Sequence, residues 1–154
     1  MDEPTFVPAV FYRDPKAALA FLEKAFGFEV SMAIEGPDDD PSQCHYEMTN
    51  AGVGRLMIGG EWADWINSPA SNGGTTSQTV HVAVTTDIDD HCARAREAGA
   101  TITFEPKDEF YGDRVYRAAD LEGHSWTFHR HVRDVPRAEA ESAIGQPIDA
   151  PGWA

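Results

Sequence analysis

The order strand, helix, glycine, three strands occurs twice in this chain of 154 residues, and that repetition constrains the fold to two like modules. In the first half Phe6 to Tyr12 reads as a strand, and Asp14-Pro15 follows it as an N-cap with proline at the first helical position. Ala18, Phe21, Leu22 and Ala25 then recur at i, i+3, i+4 and i+7, and Gly27 supplies a left-handed stop. Phe28 to Ile34 alternates as a strand and Gly36 to Pro41 is an acidic turn. Gln43 to Thr49 and Val53 to Ile58 make a hairpin through Asn50-Ala51-Gly52. The second half restarts with a strand from Thr79 to Thr85. Asp87 opens a helix that puts Ile88, Cys92 and Ala95 on one face, and Gly99 ends it. A strand from Thr101 to Glu105, a loop through Asp108 to Gly112 and a last hairpin complete the unit. Arg114 to Ala119 and His124 to Arg130 form that hairpin, turning at Leu121-Glu122-Gly123, where Asp120 bonds its own backbone and Gly123 takes positive φ. The expected fold class is α+β, with two βαβββ modules forming curved mixed sheets around a cleft.

The last hairpin carries a resemblance. Tyr-Gly-Asp-Arg-x-Tyr-Arg-x-x-Asp-x-x-Gly-His-x-Trp, from Tyr111 to Trp126, resembles the closing hairpin of the vicinal-oxygen-chelate superfamily, and within it the PhnB-like branch. That superfamily holds glyoxalase I, bleomycin-resistance proteins and extradiol dioxygenases. The resemblance spans about residues 6 to 132 and implies sheets paired edge to edge into a cup, helices outside and the cleft within, and a homodimer. Residues 1–132 then form one domain, with module one at about 5–60, a linker at about 60–78 and module two at about 79–132. The linker is rich in Gly, Ser, Asn and Pro, with Trp62 and Trp65 pinned to a surface. Residues 133–154 are a tail with a short helix from Pro136 to Ile144, expected to lie on a neighbour or to move freely.

Charge narrows the partners. Twelve Lys and Arg against 26 Asp and Glu give a net charge of -14, which repels phosphate backbones and anionic lipid and attracts a cationic small molecule. Nucleic acid and membrane are therefore not expected partners. Cys44 and Cys92 lie far apart in neither a zinc nor a redox spacing, so they read as reduced, buried thiols of a cytoplasmic protein. No apolar run reaches membrane-spanning length.

Strand alternation separates two faces. Val80, Val82 and Val84 belong under the helices, with His81, Ala83 and Thr85 toward the cleft; Trp126 and Phe128 belong under the helices, with Ser125, Thr127 and His129 toward the cleft. Val7, Ala9 and Phe11 join the cleft face from the first strand. Metal-dependent members of the resembling superfamily hold a divalent cation through a His or Glu on each of four strands. Those positions fall here on Val7, on Met57 or Ile58, on His81 and on Thr127, so one imidazole remains, too few donors for a catalytic ion. A rescue would recruit His129 and Glu47 beside His81 to hold Zn, Ni, Mn or Fe.

Each remaining candidate reads two ways. His81 is a bonded strand histidine or a cleft-lining ligand contact. His45 and Glu47 are a solvated strand face or a binding and catalytic pair. Arg114 and Tyr116 either fix the turn through Asp113 or Asp120 or present a guanidinium fork at the cleft mouth. Trp62, Trp65 and Tyr111 are packing anchors or a stacking lid over a flat or cationic ligand. The favoured function is metal-independent sequestration of an aromatic or cationic small molecule, in a cleft built from Phe11, Trp62, Trp65, Tyr111 and His81. The rivals are a divalent-metal enzyme using His81, His129 and a Glu, of lyase, isomerase or dioxygenase type, and an interaction module docking through Trp153 and the acidic tail.

Overall fold

A computed structural model of the chain describes residues 3–154. Module one runs β1 (Ala9–Tyr12), α1 (Pro15–Phe26), β2 (Phe28–Ile34), β3 (His45–Asn50) and β4 (Val53–Gly60). Module two runs β5 (Thr79–Ala83), α2 (Ile88–Glu97), β6 (Thr101–Asp108), β7 (Asp113–Ala119) and β8 (Ser125–His131), and α3 (Arg137–Ile144) follows. Each module makes its own four-stranded sheet, ordered β1-β4-β3-β2 and β5-β8-β7-β6. In both, the strand before the helix pairs parallel with the last strand, Ala9 opposite Met57 and His81 opposite Thr127. The α+β class and the repeated βαβββ unit are therefore as the sequence pattern predicts.

The helices start and stop where local chemistry dictates. Asp14 accepts from the Ala17 amide and Gly27 ends α1 at φ 74. Arg94 of α2 reaches across to donate to the carbonyls of Lys24 (2.8 Å) and Glu23 (2.9 Å), placing a cation on the last turn of α1. A side chain at Gly27 would meet that guanidinium at 2.9 Å, the movable end of a long side chain, so it is the positive φ that calls for glycine there.

The modules pack through the faces that carry their helices. Tyr12, Phe28, Met48 and Ile58 of the first sheet and Tyr116, Trp126 and Phe128 of the second are buried in one core with Leu22, Phe26, Ile88 and Cys92 of the helices. Phe26 lies 4.7 Å from Phe128, and Phe28 lies 5.5 Å from Trp126, centroid to centroid. Burying one such ring contributes about 2–3 kcal/mol. This arrangement corrects the expected edge-to-edge pairing. Among the described residues no ladder joins the two sheets; their helix-bearing faces meet in one core, and the other face of each sheet points away from it.

Smaller departures have local causes. β1 begins at Ala9 rather than Phe6, and Phe6 stands 90% exposed. β6 continues past Glu105 through Pro106 to Asp108, which an edge strand tolerates because the missing N–H costs no ladder bond. Trp62 and Trp65 pack edge to face on each other at 5.1 Å, both exposed, rather than on a surface. The tail folds back on its own chain: Trp153 Nε1 donates to the Val135 carbonyl (2.7 Å), and Arg137 N donates to the Ala154 carbonyl. Among the described residues no helix is long and apolar enough to cross a membrane.

Candidate functional site

The motif stretch of the last hairpin is a buried polar junction between the modules. Asp120, 7% exposed, accepts from the amides of Glu122 and His124 on one oxygen. Its other oxygen accepts from the Tyr12 hydroxyl (2.6 Å) and the Trp126 indole (2.9 Å). Glu122 receives the amides of Arg13 (2.7 Å) and Asp14 (3.0 Å) at the start of α1, where a carboxylate also complements the helix dipole. His124 Nε2 donates to the Phe11 carbonyl at 2.6 Å. Burial, with Asp120 and Glu122 close by, pushes the Tyr12 phenol well above its ordinary range and keeps it a donor.

The outward face of the first sheet carries Phe11, His45, Glu47, Arg55 and Met57. Phe11, Gly59 and His45 stand in one cross-strand row, and the Phe11 ring lies against Gly59, where a side chain would come within 3.1 Å of it. Glu47, 8% exposed, is held by Arg55 and lies 3.3 Å from His45 Nε2. The Arg55 guanidinium, with His45 beside it, holds this carboxyl below the usual range.

The outward face of the second sheet carries His81, Thr127, His129 and Arg117. His81, Thr127, Arg117 and Phe104 stand in one row, and the Arg117 guanidinium lies 5.5 Å over the Phe104 ring. Thr127 is buried and shares a hydroxyl hydrogen bond with Thr79 (2.8 Å). His129 stands 3.5 Å from Asp113, which also bonds His131. Asp134 and Asp113 push the His131 imidazole above its ordinary range. This is a polar, aromatic surface that can stack and hydrogen-bond a flat molecule.

The candidate residues thus fall into separate groups. Phe11, His45 and Glu47 share one sheet's outward face, while His81, Thr127 and His129 share the other's. Arg114 and Tyr116 belong to neither: Arg114 bonds Asp89 and Asp108, and Tyr116 is fully buried, donating to His91 Nδ1 at 2.6 Å. The turn-fixing partners expected for Arg114, Asp113 and Asp120, are replaced by these two. Tyr111 packs edge to face on Phe110 at 5.1 Å, apart from the tryptophan pair. Arg117 and Arg55 were not among the sequence candidates. Alternation from Tyr116 marks Arg117 as outward-facing, but the Arg55 pairing with Glu47 depends on a register no local signal gives.

Cys44 and Cys92 are free, buried thiols, and desolvation pushes both up from their usual range. A cavity of about 390 Å³ opens elsewhere, between the two inner faces. His81 alone of the candidates reaches its rim.

Residues 6–128 match the model of the Glyoxalase/Bleomycin resistance protein/Dioxygenase superfamily. The chain belongs to this superfamily. Similar proteins include the uncharacterised protein Mb0911c of Mycobacterium bovis, 33% identical and covering 96% of each chain. Rv0887c of Mycobacterium tuberculosis is also uncharacterised and 33% identical, covering 96% of this chain and 86% of the other. Among solved structures, TioX from Micromonospora sp. ML1 is 32% identical over 84% of this chain and 99% of its own, with a TM-score of 0.64. The fosfomycin resistance protein FosX of Listeria monocytogenes shares the fold at 15% identity, covering 84% and 94%, with a TM-score of 0.59.

Within one chain, the positions implied for the superfamily's divalent metal do not gather a ligand set. Of the four positions implied by the resemblance, Val7 and Met57 are apolar, Ile58 is buried in the core, Thr127 is spent on Thr79, and His81 alone is an imidazole. Nor does one chain assemble His81, His129 and Glu47, since Glu47 lies on the other sheet in the grip of Arg55. Among the described residues no group of three or more His, Cys, Asp or Glu is placed to hold a metal ion.

Proposed function

We propose that the chain is a metal-independent small-molecule-binding protein of the bleomycin-resistance type, PhnB-like within its superfamily and cytoplasmic, which sequesters an aromatic or cationic ligand. The observation that carries this reading is the pair of outward faces. One presents Phe11, His45 and Glu47, and the other presents His81, Arg117 on Phe104, and His129. Each is a half-pocket. Because they point away from each other within a chain, a closed cleft forms when module one of one chain meets module two of a second, which supports a homodimer. The acidic charge and the buried Glu47 carboxylate favour a cation over an anion in that cleft.

The test is a calorimetric titration with ethidium, an aromatic cation, on the native protein and on His81→Ala and Glu47→Gln. Saturable binding that weakens in both variants supports a composite cleft. Binding unchanged in both, or none at millimolar ethidium, removes the reading.

A further inference from the structure

We propose that the cavity between the inner faces is a second ligand site, meeting the outward faces at Arg55 and His81, for a molecule with an apolar body and a carboxylate head. At about 390 Å³ it falls within the ~300–1,000 Å³ typical of small-molecule sites. Its walls come from both modules: Phe28, Met48 and Leu56 on one side, Val80, Val82 and Trp126 on the other. These are apolar, and the one polar atom among them, the Trp126 indole nitrogen, is already spent on Asp120. These walls therefore offer mainly apolar contact, with the hydroxyls of Thr49 and Thr85 also in the lining, which selects an alkyl or fused-ring body.

The head group is set at the rim. Arg55 lines the cavity, and its Nη2 holds Glu47 while its Nε is buried and, among the described residues, has no hydrogen-bond partner. The Arg55 side chain is 37% exposed, so an oxygen acceptor in the cavity meets the open part of its guanidinium fork. His81 stands at the same rim, so two nitrogen-bearing side chains meet an incoming head. Asn50 lines the mouth as well, but its side-chain amide is engaged by the Ala83 carbonyl. The overall charge of -14 opposes an anion only at long range, where salt screens beyond ~8 Å; at contact the guanidinium decides.

The experiment is a calorimetric titration of the full chain with three ligands sharing one tail: decanoate, decanol and decyltrimethylammonium. Decanoate is expected to bind once per chain and about tenfold tighter than the ammonium, the value of a charge-assisted hydrogen bond. Val82→Trp, which fills the cavity, abolishes binding of all three. Arg55→Gln lowers decanoate affinity about tenfold and leaves decanol unchanged, and it decides the matter if the tryptophan variant does not fold. Equal affinity for carboxylate and ammonium, decanoate binding that survives Val82→Trp, or no decanoate binding each overturns the proposal.

Discussion

The two modules end in equivalent hairpins whose turns do opposite work. In module one the β3–β4 turn passes through Ala51 and Gly52, both exposed and at positive φ, and a side chain at Gly52 would meet nothing within 4 Å. In module two the β7–β8 turn drives Asp120, Glu122 and His124 inward, each at most 9% exposed, onto Tyr12, Arg13, Asp14 and Phe11 of the other module. One turn closes a hairpin, whereas the other closes the molecule. The turn of the motif that carries the superfamily resemblance is therefore a junction between modules, while His81, Thr127 and His129 lie on an outward face beside it.

The largest effect expected from breaking that contrast is at Asp120. All four of its partners are donors, so Asp120→Asn sets an amide against hydrogen-bond donors and Asp120→Ala leaves them orphaned. At ~1–3 kcal/mol per unmet buried group, both variants should lose roughly 3 kcal/mol or more in urea unfolding. A loss below about 1 kcal/mol, the worth of one ordinary hydrogen bond, would show that the junction does not hold the modules together. Tyr12→Phe removes one of the four donors and should cost about 1–1.5 kcal/mol in the same assay.

Next in size is the matching change in the other turn. Gly52→Ala, at φ 72 with open space around it, should cost only about 1 kcal/mol, the left-handed backbone penalty alone. A larger loss there than at Asp120 would reverse the comparison.

A subtler check uses pH. His91 of α2 bridges the modules: its Nε2 donates to the Phe26 carbonyl (3.1 Å) and its Nδ1 accepts from Tyr116. A carbonyl can only accept, which puts a proton on Nε2; burial favours the neutral ring, whose Nδ1 then accepts from the Tyr116 hydroxyl. Burial pulls its pKa below the ordinary histidine value, so the stability it contributes is present above about 6.5 and lost as pH falls through the lower folded value. The urea midpoint should drop between pH 7.5 and pH 5, and His91→Gln should flatten that drop. His131 works in the opposite direction because Asp134 and Asp113 raise its pKa. Its contribution is present below the unfolded value and fades as pH rises through the folded one.

Most of the fold was legible because its signals are local. Asp14-Pro15, Gly27, Asp87 and Gly99 mark both helices to within two residues, and alternation sorts Val80, Val82 and Val84 from His81 and Ala83. What stayed hidden is long-range. No alternation says that the inner faces of the two sheets meet, so Phe11 and His81, read as one pocket, end up on opposite outer sides. The bulge between Val30 and Met32 shifts the outward register of β2, which a strict two-residue period cannot foresee. Tyr116, expected to fix the turn or stand at the cleft mouth, lies in the core instead, because its hydroxyl is met by His91, 25 residues earlier on a helix.

The proposed two-chain cleft makes the sharpest demand on assembly, since it needs module one of one chain against module two of another. Sedimentation equilibrium in the presence of ethidium tests this directly. The expected result is a species of twice the 16.9 kDa chain mass, and in a mixture of His81→Ala and Glu47→Gln chains each mixed dimer keeps one intact cleft while the homodimers keep none. A 16.9 kDa species that binds ethidium at full stoichiometry would contradict it.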